Sequence, residues 1–177
     1  MNLPNLLTLS RLLLVPIFTI FLLYERKTGA FILFLAAGVT DALDGLLARL
    51  WDQKTKLGAY LDPIADKLLL VTAFIVLASL GRIPLWLTVI VIARDLIILL
   101  GFLILSLLSC SFEVRPTLFS KATTVSQVVT VSLVLSTDLL PLFSPLIPFS
   151  FWTAALLTCI SGLQYIYKGM KILEEGG

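Results

Sequence analysis

Six long apolar stretches, separated by short polar or proline-containing breaks, run along nearly the whole chain. A membrane-spanning helix needs about 20 predominantly apolar residues, and each stretch is close to that length. We therefore predict six transmembrane helices, at about Leu6–Tyr24, Gly29–Leu50, Gly58–Leu80, Pro84–Ser109, Phe119–Leu135 and Pro148–Tyr167. The short breaks leave no room for a second domain, so we expect one all-α membrane domain over residues 1–177, folded as a six-helix bundle.

The composition agrees with a membrane protein and excludes other classes. Hydrophobic residues make up 59% of the 177 residues and charged residues only 14%, whereas a soluble domain has about 25% charged residues. So few charges exclude a soluble enzyme and a disordered or nucleic-acid-binding tail. The first stretch contains Arg11 and is followed by no small-residue cleavage site, so we interpret it as a retained helix and not as a signal peptide.

The basic residues are divided unevenly between the two sides that six spans would create. One side, formed by the second–third loop, the fourth–fifth loop and the C-terminus, carries Arg49, Lys54, Lys56, Arg115, Lys121, Lys168 and Lys171. The other side carries Arg26, Lys27 and Arg82. Because cytoplasmic loops carry the excess of Lys and Arg, we expect both termini in the cytoplasm and the protein in the cytoplasmic (inner) membrane.

Four aspartates lie at the ends of the second and third predicted helices that this orientation places on the cytoplasmic side. Asp41 and Asp44 are three residues apart and Asp62 and Asp66 are four apart, so each pair shares one helix face. A short loop makes the two helices antiparallel neighbours, which brings both pairs to one depth. Carboxylates at close range repel strongly in a low dielectric, and a divalent cation relieves that repulsion. Since the chain has no histidine, the predicted metal site has oxygen ligands, as magnesium, manganese or calcium prefers.

A longer motif surrounds these aspartates, with residues at fixed spacing: Asp41, Asp44, Gly45, Ala48, Arg49, Gly58, Asp62 and Asp66. It resembles the signature of the CDP-alcohol phosphotransferases, membrane enzymes that transfer a phosphatidyl-type group from a CDP-linked donor to an alcohol and release CMP. The resemblance implies two Mg²⁺ or Mn²⁺ ions held by the four aspartates, with Asp66 also acting as the general base. It further implies a homodimer and an active-site cavity on the cytoplasmic side.

The donor would be bound by residues within the motif and near it. We expect these to be Asn5, Thr8, Gly45, Arg49, Thr55 and Gly58. Gly45 and Arg49 match positions that hold the CDP moiety in the family, and glycine lets a bulky ligand approach closely. The structural alternatives are close helix packing for the two glycines and snorkelling to the interface for Arg49.

Three cations outside the motif are candidates for binding the acceptor: Arg94, Arg115 and Lys121. Arg94 would either pair with Asp95 in mid-span or meet the other two near the cytoplasmic surface around an anionic group. Sequence neighbours point to different helix faces, which argues against the pair with Asp95. Thr124 and Gln127 follow Lys121 at helical spacing and would either line the same cavity or bond neighbouring helices. A phosphorylated acceptor needs these cations, whereas a neutral one does not.

The N-terminal segment, the Arg-Asp pair and the segment after Lys121 resemble the family members that use glycerol 3-phosphate. We therefore expect CDP-diacylglycerol as donor, entering from the cytoplasmic leaflet, and sn-glycerol 3-phosphate as acceptor. The alternatives are the same chemistry with inositol phosphate or serine, and transport of a divalent cation along the aspartates. A transporter would place its carboxylates near the bilayer midplane, whereas these lie toward one membrane face.

Overall fold

The described elements of the chain are all helical. The structure is a computed structural model that describes residues 3–51, 56–107 and 118–175, with side chains described at 13–40, 67–101 and 118–171. Its α-helices are α1 (Leu3–Leu23), α2 (Lys27–Trp51), α3 (Lys56–Ser79), α4 (Leu85–Leu107), α5 (Leu118–Leu135) and α6 (Leu146–Glu175). Two short 3₁₀ helices, Ser136–Asp138 and Pro141–Phe143, connect α5 to α6. The six predicted helices are confirmed as helices, and α6 continues eight residues beyond its predicted end at Tyr167.

The described helices are long, apolar and covered by exposed apolar side chains. Two segments are long and apolar enough to cross a membrane, Leu118–Asp138 with 21 residues and Leu146–Lys171 with 26. Many large apolar side chains point outward, as Leu99 and Leu163 do with 62% and 67% of their surface exposed. Residues of this type are mostly buried in soluble proteins. These features agree with the all-α membrane protein that the sequence predicts.

The chain forms two compact units. The first comprises Met1–Arg82 and Val131–Ser144. Within it, α1 packs against both α2 and α3. The rings of Phe18 in α1 and Phe34 in α2 have centroids 5.9 Å apart, and Phe74 of α3 is fully buried. The first helix therefore holds the two helices that carry the aspartate motif.

Gly29 lies where α2 meets an aromatic ring of α1, because a Cβ at Gly29 would overlap Cδ1 and Cε1 of Phe21. We expect Gly29→Ala to lower the free energy of unfolding by about 1–3 kcal/mol, the usual result of overpacking. Gly38→Ala on the same helix is the matched control, since a Cβ there meets nothing within 4 Å. Thermal unfolding in detergent measures both variants. Equal stability of the two would contradict the close approach of α1 and α2 at Gly29.

The second unit comprises Ile83–Thr130 and Pro145–Gly177. Its helices α4 and α6 pack together, with the rings of Trp86 and Trp152 5.3 Å apart at their centroids. Further along both helices, Arg94 donates a hydrogen bond to Ser161. Since these contacts advance in the same direction along the two helices, α4 and α6 run parallel.

Helix α5 lies against α6 in the opposite direction. Thr123 donates a hydrogen bond to the carbonyl oxygen of Leu157 at 2.9 Å, and Thr130 donates one to the carbonyl oxygen of Ser150 at 3.3 Å. Hydroxyl groups commonly form such hydrogen bonds between membrane helices. The unit is thus a three-helix assembly with a polar seam between α5 and α6.

Candidate functional site

Each of the two aspartate pairs lies on helical backbone. α2 is helical through Asp41 and Asp44, and α3 is helical through Asp62 and Asp66. Spacings of three and four residues on an α-helix place each pair on one face. The side chains of these four residues lie outside the described side chains, so their meeting around a metal stays a prediction.

The side chains predicted to bind the CDP-linked donor also lie outside the described side chains. Gly45 and Arg49 are in the last turns of α2, Gly58 is in the first turn of α3, and Asn5 and Thr8 are in the first half of α1. Their side-chain environments are outside the described part of the chain. Thr55 lies within residues 52–55, also outside it. Gly45 and Arg49 thus lie near the C-terminal end of α2 and Gly58 near the N-terminal end of α3, on the same two helices as the four aspartates.

The donor chemistry of the motif fits a divalent cation. The four candidate ligands are carboxylates, and the chain contains no histidine. Hard cations such as Mg²⁺ bind oxygen ligands, commonly one or two carboxylates together with substrate phosphates. Among the side chains that the structure describes, no three acidic or cysteine residues come together elsewhere. The aspartates of α2 and α3 therefore remain the candidate metal ligands.

Arg94 is the best-defined charged group of the second unit. It is the tenth of the 23 residues of α4 and only 4% exposed. Its Nη2 donates to Ser120 Oγ at 2.7 Å and to Ser161 Oγ at 2.8 Å, which joins α4 to α5 and α6. The guanidinium carbon also lies 5.9 Å from the ring centroid of Tyr165, within the range of a cation–π interaction.

The argument against an Arg94–Asp95 pair is wrong. Nη1 of Arg94 donates to Oδ1 of Asp95 at 2.8 Å, and the two side chains are 4% and 12% exposed. Helix geometry directs the Cβ atoms of neighbouring residues apart, but the long arginine side chain spans that separation. Burial makes the pairing necessary, because an uncompensated charge inside a membrane protein is costly.

The buried polar face of α5 contains one of the two residues predicted for it, Gln127, and not the other, Thr124. Gln127 is fully buried, and its Nε2 donates to Thr158 Oγ1 at 3.3 Å, so it bonds a neighbouring helix. Thr124 is exposed and donates to the carbonyl oxygen of Ser120 within α5. The expectation that Thr124 faces inward is wrong, and Thr123 takes the buried position in its place.

Lys121 follows directly after Ser120, the α5 partner of Arg94. Its side chain is exposed, although it lies in a helix that is apolar enough to span a membrane. A lysine at such a position faces water or a polar cavity more often than lipid. The third predicted acceptor cation, Arg115, lies in residues 108–117, outside the described residues.

Three of the side chains around Arg94 were not expected from the sequence. Ser120, Ser161 and Tyr165 were not singled out, although they line the only arginine side chain described within a long helix. Small polar residues recur at helical spacing along the buried faces of α5 and α6, namely Ser120, Thr123, Gln127 and Thr130, and Ser150, Thr158 and Ser161. This recurrence is the signal that could have found them.

A family model described as CDP-alcohol phosphatidyltransferase matches residues 1–162 of the chain. A protein of Mycobacterium tuberculosis (strain H37Rv) named "Probable phosphatidylglycerophosphate synthase" is 37% identical over 180 residues, which cover 96% of this chain and 82% of that protein. A Bacillus subtilis (strain 168) protein named "CDP-diacylglycerol--glycerol-3-phosphate 3-phosphatidyltransferase" is 33% identical over 190 residues, which cover 98% of this chain and 97% of that protein.

A protein with a different named activity is also similar. The "Probable cardiolipin synthase (CMP-forming)" of Drosophila melanogaster is 32% identical over 195 residues, which cover 99% of this chain and 61% of that protein. The similarity thus extends to proteins named for more than one lipid product.

Proposed function

The chain belongs to the CDP-alcohol phosphatidyltransferase family, and on that premise we propose that it converts CDP-diacylglycerol and sn-glycerol 3-phosphate into phosphatidylglycerophosphate and CMP. The observation that carries the proposal is the similarity to the Bacillus subtilis transferase over nearly the full length of both chains. The same comparison argues against a cation transporter, since the relatives reported above are named as synthases or as a transferase.

In the proposed reaction, the primary hydroxyl oxygen of glycerol 3-phosphate attacks the phosphorus atom that carries the diacylglycerol. A new P–O bond forms, and the P–O bond to the phosphate of CMP breaks. Asp66 accepts the proton of the attacking hydroxyl, as a positioned general base does. Charge and atoms balance, because the bridging oxygen leaves with CMP.

Phosphoryl transfer depends mainly on positioning and on stabilising negative charge. Asp41, Asp44, Asp62 and Asp66 would hold the divalent ions. Such ions, when bound, neutralise charge on the diphosphate and polarise the attacking hydroxyl. Arg49 would bind the donor's phosphate through its fork of N–H groups.

Further contacts with the donor are proposed for residues that frame the same helix ends. We assign this role to Asn5, Thr8, Gly45, Thr55 and Gly58. The two glycines would leave space for the nucleotide between α2 and α3, since they lack a side chain. The remaining residues would supply hydroxyl or amide groups for hydrogen bonds.

Lys121 and Arg115 would bind the phosphate of the acceptor. The exposed position of Lys121 on an otherwise apolar helix supports this role, because a lysine in a span is stable where it faces a polar cavity. Arg94 was the third candidate, but it is 4% exposed and donates to three neighbouring side chains. We therefore assign Arg94 an indirect role, in which it positions other residues and does not contact the acceptor.

The membrane arrangement is part of the proposal. Six spans in one domain, with both termini and the active-site cavity on the cytoplasmic side, follow from the lengths of the helices and from the distribution of basic residues. CDP-diacylglycerol would enter from the cytoplasmic leaflet and glycerol 3-phosphate from the cytoplasm. A homodimer, as the family resemblance implies, completes the proposed assembly.

An acceptor screen tests this function. With purified protein, Mg²⁺ and CDP-diacylglycerol, we expect CMP release to depend on glycerol 3-phosphate and to be at least about tenfold slower with serine, which brings no phosphate and leaves the cations of the site unpaired. We also expect slower release with inositol phosphate and with phosphatidylglycerol, because their hydroxyl groups lie at a different position relative to the phosphate. Phosphatidylglycerol is included because one relative is named a cardiolipin synthase. Faster release with any other acceptor would overturn the assignment of glycerol 3-phosphate, and no release with any acceptor would overturn the reaction.

A further inference from the structure

The guanidinium of Arg94 joins three helices of the second unit at one point. It donates to Asp95 within α4, to Ser120 in α5 and to Ser161 in α6, at 2.7–2.8 Å. We call these four residues the Arg94 clamp. Ser120 is the third residue of α5, so the clamp holds the first turn of that helix.

We propose that Arg94 is a positioning residue that fixes Lys121 for binding the acceptor phosphate and does not itself contact the acceptor. This inference rests on the proposed function, because it assigns the phosphate contact to Lys121. Ser120 and Lys121 are consecutive residues in the first turn of α5, so any displacement of Ser120 also displaces the lysine.

The burial of Arg94 supports an indirect role. A residue that is 4% exposed reaches a soluble substrate only if the surrounding helices separate. Three of its five N–H donors bond the clamp residues, and Nε is buried without a hydrogen-bond partner among the described residues. Tyr165 covers the guanidinium at 5.9 Å. These contacts orient the charge toward the bundle interior.

The position of Lys121 explains why a clamp is needed. Helix ends fray, and a lysine has a flexible side chain that binds phosphate as a point charge. A fixed backbone at its base limits the volume in which the ammonium group moves. In the first turns of α5, the clamp and the hydrogen bond from Thr123 to the carbonyl oxygen of Leu157 contribute to this restraint.

Two serine substitutions separate positioning from general stabilisation. Ser120→Ala and Ser161→Ala each remove one hydrogen bond from the same nitrogen of Arg94, at 2.7 and 2.8 Å, but only Ser120 belongs to α5. We expect Ser120→Ala to raise KM for glycerol 3-phosphate by about threefold, the size of an average hydrogen bond between membrane helices. Ser161→Ala is expected to raise this KM less than Ser120→Ala does, because Arg94 keeps its hydrogen bond to α5 in that variant. Neither variant is expected to change KM for CDP-diacylglycerol.

A double-mutant cycle decides whether Arg94 acts through Lys121. We expect Arg94→Lys, which keeps the charge but loses the fork geometry, to raise KM for glycerol 3-phosphate by about tenfold, as the loss of a charge-assisted hydrogen bond does. Lys121→Met is expected to raise it by at least as much. In the double variant the change at Arg94 should have little further effect, because the residue it positions is absent.

The outcomes distinguish this inference from the proposed function. The positioning role would be overturned if the increase in KM of the double variant equalled the product of the two single increases, or if Lys121→Met had no effect on KM. Either result would leave wild-type CMP release intact. Equal effects of Ser120→Ala and Ser161→Ala on KM would overturn it as well. If the wild-type protein releases no CMP with glycerol 3-phosphate, the proposed function itself fails and the positioning of an acceptor ligand fails with it.

Discussion

Replacing Asp66 with asparagine is expected to reduce the rate of CMP release by about 10³-fold, within the range that a general base contributes. Asparagine has nearly the same shape as aspartate, but it accepts no proton at neutral pH and carries no charge for a divalent cation. Both proposed roles of Asp66 are therefore lost together. Steady-state CMP release from CDP-diacylglycerol and glycerol 3-phosphate, measured at saturating concentrations, tests this expectation.

Asp138→Asn is the matched control for this substitution. Asp138 is 49% exposed and forms an ion pair with Lys27, with 2.7 Å between Nζ and Oδ1. Lys27 is the first residue of α2, at the end of that helix away from the aspartates. Exposed ion pairs contribute at most about 1 kcal/mol to stability, so activity should stay within about twofold of wild type. If Asp66→Asn were as active as Asp138→Asn, Asp66 could be neither the base nor an essential metal ligand.

Removal of divalent cations is expected to abolish activity as completely as any single substitution. A chelator should reduce CMP release to background, because two carboxylate pairs and a diphosphate require positive charge between them. Mg²⁺ or Mn²⁺ should restore the rate. Zn²⁺, which prefers nitrogen and sulfur ligands, should restore much less, since the proposed donor set consists of oxygen atoms.

A second measurement checks that the cation binds at the aspartate motif. A bound ion stabilises the folded protein by RT ln(1 + [L]/Kd), so Mg²⁺ should raise the thermal unfolding temperature of the wild-type protein. Asp44→Asn should remove most of this shift, whereas Asp138→Asn should retain it. Full activity in the presence of chelator, or an undiminished shift in Asp44→Asn, would contradict the proposed metal site.

The helices were predictable because a span has a characteristic length and apolar composition. The predicted end of α5 at Leu135 agrees with the structure, and Pro141 marks one of the two 3₁₀ helices that follow it. The end of α6 was missed, since its last turns are polar and leave the apolar pattern before the helix stops. Hydropathy therefore indicates where an apolar segment ends, which is not always where the helix ends.

The details of polar packing were less predictable. The three-residue spacing from Lys121 predicted that Thr124 faces inward, but the buried hydroxyl belongs to Thr123. Adjacent residues point about 100° apart on a helix. Which of the two is buried therefore depends on the helix that packs against α5. Similarly, Arg94 bonds Ser161 across 67 residues of sequence. Such a long-range contact depends on how α4 packs against α6. The periodicity of polar residues within either helix does not predict that packing.

In the proposed six-span arrangement, the ion pair between Arg94 and Asp95 has a consequence for how α4 enters the membrane. During synthesis α4 leaves the ribosome ahead of α5 and α6, so Arg94 has no partner on a later helix when α4 first meets the bilayer. An arginine at the centre of a helix costs about 2.5–3.5 kcal/mol to insert. Because Asp95 is the next residue, the counter-charge is delivered together with the arginine, and α4 can be neutralised without waiting for α5 and α6. Two adjacent opposite charges thus let a buried arginine be inserted as soon as its own helix has been made.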